Sequence, residues 1–200
     1  MAVIEIRERA PETTQRQRYS HYFAVAFCLF GLLLGLNLRD SALFATTQYA
    51  DTRAGIRAFY PENWLIDTSS PDYVFRVRDM TEPGFKTTIQ VSMEPVSPQT
   101  AIRNVIEALS LERMQTLAQY TILSIDPYFL EDQPEAFAVS YAYAAGNTDP
   151  FLESVPEVVR GMDILTIKRG QAIIISFRSD ADTYEQNLPI FERFLNDLEF

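Results

Sequence analysis

The sequence predicts an α+β chain in which one transmembrane helix precedes an antiparallel β-sheet with helices packed on it. Three observations carry that expectation. Residues 19–38, YSHYFAVAFCLFGLLLGLNL, contain no Asp, Glu, Lys or Arg. Beyond them, short segments alternate apolar and polar side chains, the period of half-exposed strands. These strands are interrupted by one amphipathic stretch ending near Ala118 and closed by another after Asp182. Strands, a helix, strands and a closing helix form the order in which helices cover an antiparallel sheet.

Composition narrows the classes further. With 47% hydrophobic and 12% aromatic residues in 200, the chain can fill a core and is neither disordered nor low in complexity. One cysteine and one histidine exclude an internal disulfide framework and leave too few ligands for a zinc or iron–sulfur centre. Charge is uneven: residues 1–39 carry five arginines and three glutamates, whereas residues 40–200 carry twelve basic and twenty-four acidic side chains. An acidic domain without a basic stripe repels a phosphate backbone, so nucleic acid is not an expected partner.

The first element is the apolar run. At 1.5 Å per residue it is just long enough to cross about 30 Å of hydrocarbon. The competing reading is a cleaved signal peptide. The run exceeds the usual ~7–15 residues of a signal core. No small-x-small cleavage site follows it, since Ala42 has Asp40 and Ala45 has Leu43 two positions earlier. Phe27 precedes Cys28 where a lipoprotein signal needs a small residue. Arg7, Arg9, Arg16 and Arg18 come before the run, whereas only Arg39 follows at once and Arg53 is next. The positive-inside rule then makes residues 1–18 a cytoplasmic tail, residues 19–38 a single span of a bacterial inner membrane, and the rest extracytoplasmic. Tyr19, His21 and Tyr22 fall at headgroup level. Ala24, Cys28, Gly31 and Gly35 follow at i, i+4, i+7 and i+11, a stripe of small residues that admits a partner helix and also occurs in inert anchors.

Residues 39–55 show neither periodicity nor a long apolar run, and are expected to be a linker on the outer membrane surface, leaving 56–200 as the folded domain. Residues 55–60 and 63–67 read as strands around a Pro61-Glu62 turn. Tyr73, Phe75 and Val77 alternate with Val74, Arg76 and Arg78, and Ile89, Val91 and Met93 with Thr88, Gln90 and Ser92. Ser97-Pro98 reads as a cap and first turn of a helix presenting Ile102, Val105, Ile106 and Leu109, with Ser110 recapping or kinking it before Met114 and Leu117. Residues 121–125 read as a strand stopped by Asp126-Pro127. In 136–144, Phe137, Val139, Tyr141 and Tyr143 share one face, and the other carries only Ala and Ser, suiting a strand with a helix close over it. Residues 158–168 and 171–178 form a hairpin through Arg169-Gly170, and Ile173-Ile174-Ile175 marks a strand covered on both faces. The closing helix begins at an Asp182-x-x-Glu185 capping box and presents Leu188, Phe191, Phe194, Leu195 and Leu198.

The opening Phe59-Tyr60-Pro61-Glu62-Asn63-Trp64, the central helix, the aromatic-rich strand, the hairpin through Gly170 and the Phe-rich closing helix ending at Phe200 resemble the PsbP/Mog1-like domain over residues 56–200. The resemblance implies a non-enzymatic α/β/α sandwich that assists larger assemblies, among them an extrinsic subunit of photosystem II. The chain departs from the plant-type members in its anchor and in having only His21, which removes the expectation of a metal-binding role.

The residues themselves offer no nucleophile elbow, P-loop or dinucleotide fingerprint, and His21 beside the membrane cannot serve a triad in the outer domain. Asp180, Asp182 and Glu185 lack the glycine and full ligand set of a calcium loop and read as a helix start. No catalytic residue, metal or cofactor is therefore expected. Trp64 reads as core. Two proline-bounded acidic loops remain, 126–135 with Tyr128, Phe129 and Leu130, and 147–157 with Phe151 and Leu152. Their apolar side chains either fold back on the sheet edge or form a docking surface. These features lead to the expectation of a non-catalytic, single-pass accessory subunit of a membrane-protein complex. Its partners are the lipid bilayer, neighbouring transmembrane helices and the outer surfaces of larger subunits, in an energy-transducing or photosynthetic electron-transfer assembly. The alternative is an anchored module that binds a small ligand or envelope component.

Overall fold

A computed structural model describes residues 15–130, 133–146 and 156–200. The chain divides into two compact units that meet at Ala45 and Thr46. The first contains α1 (Gln15–Leu43), a helix of 29 residues. Its stretch Arg18–Ala42 is long and apolar enough to cross a membrane, and no part of its most apolar window is buried. Length and composition of this kind suit a membrane anchor or a signal sequence. The helix runs five residues past the expected end at residue 38, because nothing from Arg39 to Leu43 breaks it.

The second unit begins earlier than residue 56. The expected linker contains β1 (Thr46–Asp51), which pairs antiparallel with β2 (Ile56–Pro61). Its turn was encoded by Asp51, whose carboxylate accepts from the Arg53 and Ala54 amides at 2.7 and 3.2 Å, and by Gly55 at φ +69°. Ile56, Ala58 and Tyr60 of β2 are buried. On its other side β2 is clasped by the chain end, where Arg57 and Glu199 exchange two main-chain hydrogen bonds of 2.8 Å.

The remaining strands are β3 (Leu65–Asp67), β4 (Phe75–Arg78), β5 (Thr88–Pro95), β6 (Ala118–Leu130), β7 (Gln133–Ala145), β8 (Glu157–Lys168) and β9 (Gln171–Asp180). They form one seven-stranded antiparallel sheet in the order β3-β4-β5-β9-β8-β7-β6. The β8–β9 hairpin turns through Arg169 and Gly170, both at positive φ, 53° and 76°. Two neighbouring residues in that region define the turn whose twist matches the flanking strands. β9 is the central strand, and Ala172 to Phe177 are buried without alternation because both faces are covered.

Two helices cover the sheet. α3 (Tyr184–Asn196) lies on the face of Ile173, Ile175 and Phe177, and its Phe191, Phe194 and Leu195 join them with Trp64 and Phe75 in the main core. α2 (Ile102–Thr116) lies on the other face, where Ile102 and Ile106 meet Val139, Leu165 and Ile174. The cap expectations fail at both helices. Ser97 instead accepts from the Thr100 amide in a turn, and α2 starts at Ile102 after Ala101. Ser110 neither recaps nor breaks α2; it is buried and donates to the Ile106 carbonyl at 2.6 Å. Asp182 is likewise not a cap: the residue before α3 is Thr183, with no side-chain capping bond, and Glu185 pairs with Arg160 at 2.8 Å.

Candidate docking edge

β6 does not stop at Asp126-Pro127 as the sequence suggested but continues to Leu130. Proline lacks the N–H that an inner ladder needs, yet among the described residues β6 is the last strand of the sheet and has a neighbour on one side only. Of the expected loop 126–135, residues 126–130 and 133–135 are thus strand, with Tyr128 opposite Ala136 and Leu130 opposite Gln133. This places the three predicted docking residues differently. Leu130 is buried, and Tyr128 packs against the main core, where burial raises its phenol pKa and the Glu192 charge adds to the effect. Phe129 alone points outward, 89% exposed.

Phe129 has company that sequence reasoning missed. Leu123 and Ile125 on the same strand are exposed, as are Leu111 and Met114 of α2, the helix that packs over β6. Register shifts near Ile122 and Tyr128 interrupt the pairing of β6, and Met114, which helical spacing puts on the apolar face of α2, is exposed. The outer main-chain groups of β6 face no further strand among the described residues. Long, apolar, unpaired edges take up added strands or apolar partners.

The other predicted residues divide as follows. Phe151 and Leu152 lie outside the described residues. Ala24, Cys28, Gly31 and Gly35 lie along α1, all exposed, and a Cβ built on either glycine meets nothing within 4 Å. Asp180 accepts from the Asp182 amide at 2.8 Å in a turn, and among the described residues no group of three His, Cys, Asp or Glu is placed to hold a metal.

A buried polar network fastens α2 to the sheet beside this edge. Arg113 of α2 forms a close ion pair with Asp163 of β8, donates to the Ser176 hydroxyl at 3.3 Å and stacks on Tyr141 at 4.5 Å. Burial disfavours the Arg113 charge, but the Asp163 carboxylate and the electron-rich Tyr141 outweigh it, and the guanidinium pKa is raised. Fully buried Tyr141 has its own pKa pushed well up, by burial first and Asp163 second. Its ring crosses β8 at Gly161, where a Cβ would come within 2.3 Å of the ring. Gly161 and Asp163, a glycine and a buried carboxylate within one strand, were the legible signs of this network.

A second polar set lies at the opposite end of the sheet. Asp67 accepts from the Ser69 hydroxyl and amide, Tyr73 and Arg76, at 2.6, 3.0, 2.7 and 2.7 Å. Those donors, led by the Ser69 hydroxyl and Tyr73, hold its pKa well below the usual carboxylate range.

No family model matches the chain, nor does any curated protein sequence. Solved structures do match. The chain is similar to cyanobacterial PsbP of Synechocystis sp. PCC 6803 at 16% identity and a TM-score of 0.58, over 78% of this chain and 92% of that one. It is similar to LpqN of Mycobacterium tuberculosis, a protein involved in cell envelope biogenesis, at 9% identity and a TM-score of 0.51, over 77% and 89% of the two chains. The Ran-binding protein Mog1p of Saccharomyces cerevisiae is matched at 12% identity and a TM-score of 0.49, over 78% and 95%. At these identities likeness speaks for the fold alone, and the chain has the PsbP-like fold, an antiparallel sheet between helices.

Proposed function

We propose that this protein is a non-catalytic, single-pass accessory subunit of a membrane-protein complex, anchored by α1 and docked through the β6 edge of its PsbP-like unit. The observation that carries the reading is Phe129, 89% exposed on the edge strand β6 between an inward Tyr128 and a buried Leu130. A large aromatic held outward by its own strand is the kind of side chain that anchors interfaces. The arginine bias before α1 supports a cytoplasmic N-terminus and an extracytoplasmic unit, where the acidic surface solvates the rest. Likeness to PsbP makes an energy-transducing or photosynthetic electron-transfer assembly the host of choice.

The small-residue stripe of α1 supplies the second contact in this reading, with a transmembrane helix of the host. Co-purification from gently solubilised native membranes tests both. Large membrane subunits should accompany the wild type in fixed ratio, and Phe129→Ser should release them, as should Gly31→Leu combined with Gly35→Leu. A free monomer from wild-type membranes overturns the reading and leaves the anchored ligand-binding module, which the likeness to LpqN favours.

A further inference from the structure

The fold assembles a basic patch that the linear sequence conceals. Cross-strand pairs share a face of a sheet. Arg76 pairs with Gln90, and Gln90 with Ser176; Arg78 pairs with Thr88, and Thr88 with Arg178. Arg76, Arg78 and Arg178 therefore rise from one face, two on β4 and one on β9, with β5 between them. This is the face that bears α2, but α2 packs on β6 and β8, and the Arg76 and Arg78 side chains stay 28% and 35% exposed.

These charges are not balanced. Asp67 pairs with Arg76 at 2.7 Å and stands 3.7 Å from Arg78. Among the described residues Arg178 has no carboxylate partner; it donates to the Gln90 side-chain oxygen at 3.0 Å and lies beside the Tyr143 phenol. Three guanidiniums thus face one carboxylate, in a unit where acidic side chains outnumber basic ones two to one. The Nε atoms of all three arginines are buried without an acceptor. Gln90 is itself held, donating to Ser92 at 3.1 Å, so the amide between the cations is fixed in place.

We propose that Arg76, Arg78 and Arg178, with Gln90 between them, form a recognition site for a phosphate group. Guanidinium forks match tetrahedral oxyanions bidentately, and two uncompensated positive charges suit a phosphate, whether a monoester carrying about −1.5 to −2 or a diester carrying a single negative charge. The site is independent of the β6 edge.

The buried Nε–H groups also provide the readout, because protection from solvent keeps their resonances visible. The full chain, labelled with ¹⁵N-arginine in a non-ionic detergent, is titrated with inorganic phosphate against sodium chloride at matched ionic strength. The Arg78 and Arg178 signals should shift saturably with phosphate only, while Arg113, neutralised by Asp163, should stay fixed and report an intact fold. Arg178→Gln should weaken binding by about tenfold, the worth of one charge-assisted hydrogen bond, and Arg178→Lys should restore part of it. Shifts equal in phosphate and chloride, the absence of saturation, or unchanged affinity in Arg178→Gln overturn the site. So does a response to an oligoglutamate peptide without one to phosphate, which transfers the patch to a protein partner. Tighter binding of dihexanoyl phosphatidylglycerol than of inorganic phosphate supports the site with a lipid headgroup as its source; the reverse supports it with a free phosphate or phosphomonoester.

Discussion

Single side chains decide how firmly this unit is held. Asp163 is 1% exposed and its partner Arg113 13%, so removing one leaves the other charged in a low-dielectric pocket. Asp163→Ala is expected to lower unfolding free energy by about 3–5 kcal/mol in denaturant titrations, the usual loss when a buried pair is broken from one side. Asp67 gives a pH-dependent counterpart. Its folded-state pKa is depressed, so its contribution is complete above the unfolded aspartate value and is lost as pH falls through the lower folded one. Thermal melts of wild type and Asp67→Asn should differ by a constant amount above about pH 5 and begin to draw together only as pH falls below about 4. The sequence showed Arg76 and Arg78 in one alternating strand and Arg178 at the end of another strand without alternation. Their meeting depends on β4 and β9 flanking β5, a non-local pairing that no local period reports.

Elements were legible where a period ran long. The strand faces of β4, β5 and β7, the β8–β9 hairpin and the apolar stripe of α3 match what alternation and helical spacing imply. β1 escaped because its strand formers Thr46, Thr47 and Tyr49 lie on a weakly buried ribbon with no apolar alternation. β6 was cut short because proline argues against an inner strand, and edge position cannot be read before the sheet is ordered. That error also merged Phe129 with Leu130, which now separate in a measurable way. Phe129→Ser should leave the melting temperature nearly unchanged, since so exposed a ring contributes little to the free unit. Leu130→Ala should cost about 2–5 kcal/mol, as for other buried leucines truncated to alanine. Equal losses from both would place Phe129 in the core and remove the docking edge.

At the scale of the whole molecule, the charge asymmetry predicts topology. Protease added to intact spheroplasts should digest the unit after Arg53 and spare an N-terminal epitope; a protected unit would reverse the orientation. The sheet order also has a consequence for the proposed extracytoplasmic placement. Without β9, the remaining six strands of the sheet fall into two meanders, β3-β4-β5 and β6-β7-β8, each joined only to its own neighbours. β9 is the strand inserted between them, and it leaves the ribosome after both. Residues 88–95 must wait for residues 171–180 before their open side is paired. The nascent chain therefore cannot close its sheet while most of it is being made, which favours passage through a translocation channel in an unfolded state and completion of the fold on the far side.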